Sequence, residues 1–163
     1  MEAKVRKCYP GVDSRLDEIQ AAILRVRLRY LDRDNKRCAK RARRYREELD
    51  YCGLLLPEAR PGATHVYHQF VVCSSQRDAV QKFLIDRGIE VQIHYPIEVH
   101  QQPAYCNRLD IRTDLSVTEQ IVNEMLSFPV YLELREGEID AIVCTVREFF
   151  ASLLAQSNCK PFF

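Results

Sequence analysis

The segment from Gly11 to Leu31, GVDSRLDEIQAAILRVRLRYL, constrains the fold more than any other part of the sequence. Its apolar residues recur at alternating steps of three and four, as on one face of an α-helix: Leu16, Ile19, Ile23, Val26 and Tyr30. Ser14 and Asp17 form a short capping box at its start, and Asp13 is an alternative cap. The pattern predicts a helix that begins near Ser14 and has one buried face.

This helix is predicted to continue well beyond the segment. Apolar residues keep a helical spacing as far as Leu49, and Gly53 is a natural stop. We therefore expect one helix over about 14–51, with a bend near 32–35. Because so long a helix usually bridges two bodies, we expect a remnant and interdomain helix over 1–53 and a small domain over 54–163. Without a covering domain, the first half would stay exposed or self-associate.

The remaining segments alternate between helical and extended patterns. We predict strands over 64–73, 89–94 and 128–132 and an irregular loop as far as residue 113. Helices are predicted after Ser74 and over 136–155. A further helix is predicted to begin at a Ser116/Glu119 capping box, with Val117 and Ile121 on its buried face. This order predicts an α+β fold, in which a small, mainly antiparallel sheet is packed with helices.

Composition excludes several classes of protein. The 163 residues are 47% hydrophobic and 29% charged, as in ordinary globular proteins. The first residues lack the apolar run of a signal peptide, and no stretch has the length of a membrane span, so we expect a cytoplasmic protein. Seven cysteines without a C-x-x-C pair favour reduced thiols, and four dispersed histidines show no metal-ligand spacing.

A basic run lies between Arg25 and Arg46, with eleven basic and two acidic residues. Such a surface can bind nucleic acid phosphates. It can also be a solvated face whose arginines pair with acids of this chain or a partner. We favour the second interpretation, because the run carries no aromatic stacking platform for bases and the rest of the chain is near neutral or acidic.

Several motifs occur together in one order. They are the segment 11–22 (GVDSRLDEIQAA), 65–70 (HVYHQF), 94–96 (HYP), 102–105 (QPAY) after His100, and 126–129 (LSFP). In this order they resemble the DegT-type sugar nucleotide aminotransferases, the StrS-like branch of fold type I pyridoxal phosphate enzymes. The resemblance runs from about residue 11 to residue 150. It implies an α+β small domain at the carboxy-terminal end of such an enzyme.

The resemblance also implies a reaction and a cofactor. Members transfer an amino group to a keto sugar on a nucleotide, using pyridoxal phosphate that a lysine of a preceding large domain holds. Only ten residues precede Gly11, and Lys4 and Lys7 lie in no recognisable lysine motif. We therefore expect a nucleotide sugar as the ligand of the parent enzyme and no transamination by this chain alone.

The resemblance assigns candidate site residues. Asp13 occupies the position of an asparagine that reaches the cofactor phosphate across a dimer interface. A carboxylate there would repel a phosphate by up to about 4 kcal/mol, and helix capping is its alternative role. Arg15 pairs with an anionic group or with Glu18. His94, Tyr95 and His100 are expected at the sugar nucleotide, where a histidine donates to a hydroxyl or relays a proton; a structural hydrogen bond is the alternative.

His68 lies within a predicted strand and is expected to be a core histidine. The whole chain can alternatively be a non-catalytic module that forms a homo-oligomer, or docks on a full-length relative, through the apolar face of the first helix.

Overall fold

The computed structural model of this protein describes residues 16–105, 108–110 and 113–157. The α-helices in this part of the chain are α1 (Glu18–Leu28), α2 (Leu31–Leu49), α3 (Arg77–Ile85), α4 (Ser116–Glu124) and α5 (Glu136–Ser157). The strands are β1 (Phe70–Cys73) and β2 (Met125–Phe128). The structure confirms the predicted α+β class.

The long helix is divided into α1 and α2, and the break lies at Arg29 and Tyr30 rather than at 32–35. Asp17 precedes α1 without a side-chain capping bond, and Ser14 lies outside the described residues. No residue of α1 is buried; Ile19, for example, is 76% exposed. The predicted buried face is therefore wrong for the chain by itself, because no other described element covers α1.

The core forms where α2 and α5 pack on the sheet. From α2, the side chains of Ala42, Tyr45 and Leu49 are fully buried. The apolar face of α5 meets them, with Ile139, Ile142, Val143, Val146 and Phe149 buried. Periodicity predicted α5 over 136–155, and the structure confirms this within two residues. Gly53, with a φ of +70°, then turns the chain after α2, as predicted.

The sheet is antiparallel, as predicted, but its strands are shorter. Phe70 pairs with Phe128 and Cys73 with Met125, so β2 begins three residues before the predicted 128–132. Residues 64–69 are not a strand, because Tyr67 has a φ of +51° and donates its amide to His65 Nδ1 at 2.9 Å. The predicted strand 89–94 is reduced to one bridge, between Gln92 and Ser127.

Helix α4 begins at the predicted residue, but the predicted capping box is wrong. The Ser116 hydroxyl donates to Asp114 Oδ2 at 2.7 Å, and Glu119 bonds with His100. Val117 and Ile121 are 67% and 45% exposed, so they are not the buried residues that the pattern predicted. The buried apolar residues in this region belong to β2, which follows α4 without a loop.

Two arginines of α2, Arg41 and Arg44, bond extensively with other parts of the chain. Arg41 donates to the carbonyls of Leu132 and Leu134, at 2.8–3.0 Å. Arg44 bonds with Glu48 at 2.6 Å and Glu136 at 2.8 Å, and with Asp140. For Arg44, the interpretation of the basic run as a face whose arginines pair with acids of the chain is confirmed, whereas the partners of Arg41 are backbone carbonyls.

Candidate functional site

An open cleft of about 660 Å³ lies between the edge of the sheet and the first turns of α5. Most of its polar lining comes from the segment after α3, from β2 and from the loop that follows β2, and the rest from the residues before β1 and from α5. The side chains that matter for recognition are Arg87, Glu90, Gln92, His94, Ser127 and Tyr131. The cleft therefore combines hydrogen-bonding groups with both signs of charge.

The bridge between Gln92 and Ser127 positions His94 at this cleft. Ser127 N donates to Gln92 O at 2.8 Å, and Gln92 N donates to Ser127 O at 3.2 Å. Two residues after Gln92, the His94 ring meets the Ser127 side chain, with Nδ1 and Oγ 3.0 Å apart. His94 is half-buried, whereas Ser127 is only 6% exposed. The imidazole is thus held against the sheet by a buried hydroxyl.

The other predicted substrate residues do not line the cleft. A cis peptide bond joins His94 to Tyr95, whose side chain is 72% exposed. His100 Nε2 lies 3.1 Å from Glu119 Oε1, which also accepts from Gln101 Nε2 at 3.3 Å. Of the three residues predicted from this region, the structure therefore places only His94 in the cleft.

Asp13 and Arg15 lie outside the described residues, so their predicted roles stay predictions. His68 is exposed and lines the cleft, and the prediction of a core histidine is wrong. The reason is the turn at Tyr67, which places Tyr67 rather than His68 in the core.

Sequence reasoning missed Ser127 as a site residue. The signal was present, because Ser127 is a polar residue between Leu126 and Phe128, within the motif at 126–129 that contributed to the resemblance. A serine in a buried apolar strand requires a hydrogen-bond partner, since an unpaired buried polar group is costly. That partner, His94, is 33 positions away and only the fold shows it.

Cysteine and metal chemistry find no support among the described residues. Burial raises the pKa of the Cys52 and Cys73 thiols, so both stay protonated near neutral pH and are poor nucleophiles. In residues 16–105, 108–110 and 113–157, no group of three His, Cys, Asp or Glu side chains is arranged to hold a metal ion.

No helix in this part of the chain is long and apolar enough to cross a membrane.

Comparison with solved structures identifies the class of protein. The crystal structure of DesV from S. venezuelae in complex with a ketimine intermediate superimposes with a TM-score of 0.79 at 36% identity. The match covers 86% of this chain and 38% of DesV. The crystal structure of a DegT DnrJ EryC1 StrS aminotransferase from Brucella abortus superimposes with a TM-score of 0.78 at 33% identity, over 86% of this chain and 37% of that one. The α+β fold therefore resembles part of an aminotransferase.

The family follows from the sequence comparison. The DegT/DnrJ/EryC1/StrS aminotransferase family matches residues 1–147, and the chain belongs to this family. It is 40% identical over 138 residues to the erythromycin biosynthesis sensory transduction protein EryC1 of Saccharopolyspora erythraea, covering 84% of this chain. It is 37% identical to dTDP-3-amino-3,6-dideoxy-alpha-D-galactopyranose transaminase of Aneurinibacillus thermoaerophilus, covering 90% of this chain. The chain spans 38% and 40% of these two relatives.

The family implies pyridoxal phosphate, and the described residues do not supply the amine that would hold it. Lys40 is 82% exposed and lies 3.8 Å from Glu136, and Lys82 is 75% exposed and lies 2.5 Å from Asp86. Lys36 is also exposed. Because none of these lysines lines the cleft, the described part of the chain does not fit covalent attachment of the cofactor.

Proposed function

We propose that this chain is the carboxy-terminal, sugar-binding part of a pyridoxal phosphate-dependent aminotransferase that acts on nucleotide-linked keto sugars. The observation that carries the proposal is the family match over residues 1–147. It is supported by the 37% identity to a transaminase named for a dTDP-linked amino sugar. The motif with His94 lies within this match, and His94 lines the cleft. In this proposal residues 1–53 connect to the cofactor-binding part, and 54–163 form the small domain.

The charges of the cleft favour the sugar over the diphosphate of such a ligand. Glu90 and Glu138 both line the cleft, and carboxylates accept hydrogen bonds from hydroxyls but repel phosphates. Arg87 is the nearby cation, yet Glu148 Oε1 engages it at 2.9 Å. The sugar ring therefore suits this surface, with His94 and Gln92 as its polar contacts. Arg15 remains the proposed partner of the phosphates, and Asp13, Tyr95 and His100 remain candidates at the rim.

The isolated chain is expected not to form a stoichiometric complex with pyridoxal phosphate. When the protein is mixed with an equimolar amount of the cofactor, we expect no absorbance band of lysine-bound cofactor, since the described lysines are surface residues. The measurement is a visible absorption titration, followed by borohydride reduction and peptide mass spectrometry. Parallel titrations of Lys4→Arg and Lys7→Arg serve as controls. A band at one equivalent that either substitution abolishes would contradict the proposal.

The exposed helix α1 favours a second candidate function, a non-catalytic module that pairs with a second copy. Large apolar side chains of this helix are about half or more exposed, including Ile19, Ile23 and Val26. Two acids, Asp17 and Glu18, lie at the start of α1, and Arg25 and Arg27 lie in its last turn. None of these four side chains forms an ion pair with another described residue. An antiparallel pair of α1 helices would place the acids of each copy beside the arginines of the other.

This second function predicts that the chain dimerises through α1. Ile19→Glu and Ile23→Glu are each expected to raise the dimer dissociation constant at least tenfold, because burial of such a side chain contributes about 1.5–3 kcal/mol. Val117→Glu is the matched control, since Val117 is an apolar residue on α4 whose exposure lies between those of Ile19 and Ile23. Sedimentation equilibrium measures the constants. A wild-type chain that stays monomeric at high concentration would contradict the dimer and leave a full-length relative as the partner to test.

A further inference from the structure

The backbone of Ser127 cannot pair with its own hydroxyl, because both backbone groups are already hydrogen-bonded. Its amide and carbonyl are both bonded to Gln92, and its neighbours Leu126 and Phe128 are buried apolar residues. The hydroxyl is buried with them, and its partner among the described residues is His94 Nδ1, at 3.0 Å. Among the described residues, His94 Nδ1 is therefore the available acceptor for the hydrogen of this hydroxyl.

The direction of the hydrogen bond follows from this pairing. If Nδ1 carried the ring proton it would donate to Oγ, and the serine hydrogen would find no acceptor in the described part of the chain. A buried donor left without a partner destabilises the folded chain. The hydroxyl therefore donates to Nδ1. The neutral imidazole then carries its proton on Nε2, which has no partner among residues 16–105, 108–110 and 113–157.

We propose that Ser127 is a positioning residue that holds His94 in the Nε2–H form, so that His94 presents a hydrogen-bond donor to an acceptor oxygen of the ligand. This rests on the proposed function, in which the cleft receives the sugar of a nucleotide sugar. The Nε2–H form decides between the two ligand-binding roles of His94 that the sequence left open, which are donation of a hydrogen bond and relay of a proton. The neutral ring donates to a hydroxyl or keto oxygen, and it is not the base that removes a proton from the substrate.

Nitrogen NMR of the full chain, with ¹⁵N-labelled histidine, tests the assignment. His65 is an internal reference for the Nε2–H form, because its Nδ1 accepts the Tyr67 amide at 2.9 Å. His68, which is exposed, is the reference for an unconstrained ring. We expect the two ring nitrogens of His94 to match the pattern of His65. A proton on Nδ1 of His94 would overturn the proposal.

Ser127→Thr and Ser127→Val form a matched pair, because they have the same shape and differ in one hydroxyl. We expect the threonine variant to keep the wild-type pattern of His94 and the valine variant to move it toward that of His68. The amide spectrum reports whether each variant is folded. Identical His94 patterns in folded threonine and valine variants would overturn the positioning role.

A titration with dTDP-glucose separates this inference from the proposed function. We expect the ligand to shift the His94 Nε2 resonance, and we expect the valine variant to bind about fivefold more weakly than the threonine variant, as the loss of about 1 kcal/mol implies. If the His94 pattern depends on the Ser127 hydroxyl but dTDP-glucose leaves it unchanged, the sugar site and the donor role both fail. If dTDP-glucose shifts His94 equally in both variants, the site stands and the role of Ser127 fails.

Discussion

Replacement of Tyr45 by alanine is expected to lower the free energy of unfolding by about 3–5 kcal/mol, the largest effect of any change considered for this protein. Tyr45 is fully buried, and its ring lies 5.2 Å from that of Phe70 and 6.0 Å from that of Phe128. It therefore joins α2 to both strands of the sheet. Its removal leaves a cavity at the point where these three elements meet.

Tyr45→Phe separates the packing of the ring from its hydrogen bond. The hydroxyl donates to Pro129 O at 3.1 Å, and burial raises the pKa of Tyr45, so the donor stays protonated at neutral pH. Loss of this bond alone is expected to cost about 1 kcal/mol. Urea unfolding followed by circular dichroism measures both variants. If the alanine variant lost no more stability than the phenylalanine variant, the ring would not be the central packing element.

Arg41→Met is expected to lower the free energy of unfolding by about 2–3 kcal/mol. The guanidinium of Arg41 donates to the carbonyls of Leu132 and Leu134, so it holds the loop between β2 and α5 against α2. Methionine preserves the aliphatic part of the side chain but removes every donor. The two carbonyls then lose a charged partner in a half-buried position.

Arg43→Met is the matched control for Arg41. Arg43 lies on the same helix, is exposed, and has no bonded partner in the described residues. Its substitution is expected to change stability by no more than about 0.5 kcal/mol. Arg41→Lys is expected to recover little, because an ammonium cannot donate to two carbonyls with the geometry of a guanidinium. Equal effects of the methionine substitutions at 41 and 43 in urea unfolding would contradict the role of Arg41.

The Arg41 contacts also connect the core to the cleft. Leu134 and Tyr131 line the cleft and belong to the loop that Arg41 holds. The sequence pattern predicted that Arg41 belongs to a solvated basic face. In the structure, Arg41 instead positions one wall of the candidate site. Substitution of Arg41 is therefore expected to weaken ligand binding because it releases the loop, and not because it changes the net charge of the surface.

Some elements were predictable because the local pattern and the tertiary packing agree. Helix α5 shows this, since the spacing of Ile139, Ile142 and Val146 predicts a buried face and the core lies on that face. Helix α4 shows the opposite. Val117 and Ile121 have the same kind of spacing, but the described chain leaves them 67% and 45% exposed. Periodicity reports where apolar groups lie on a helix and does not report what covers them.

The strands were less predictable for a related reason. Residues 64–69 alternate as a strand would, but Tyr67 adopts a positive φ and its amide bonds to the neighbouring His65 side chain. A local hydrogen bond thus competes with the ladder and ends it. Likewise, residues 89–94 have a strand pattern, but only Gln92 pairs with β2.

The sequence alone determined the α+β class, the positions of helices α3 and α5, the region where α2 ends, and the motifs that mark the aminotransferase family. Those properties depend on residues close together in the chain, where periodicity and turn residues act directly. Only the tertiary structure decided that Arg41 holds a loop about ninety residues away and that His94 meets Ser127 across 33 positions. Contacts of this kind arise from how helices and strands pack, and hydrogen-bond geometry at a few ångströms cannot be derived from spacing along the chain.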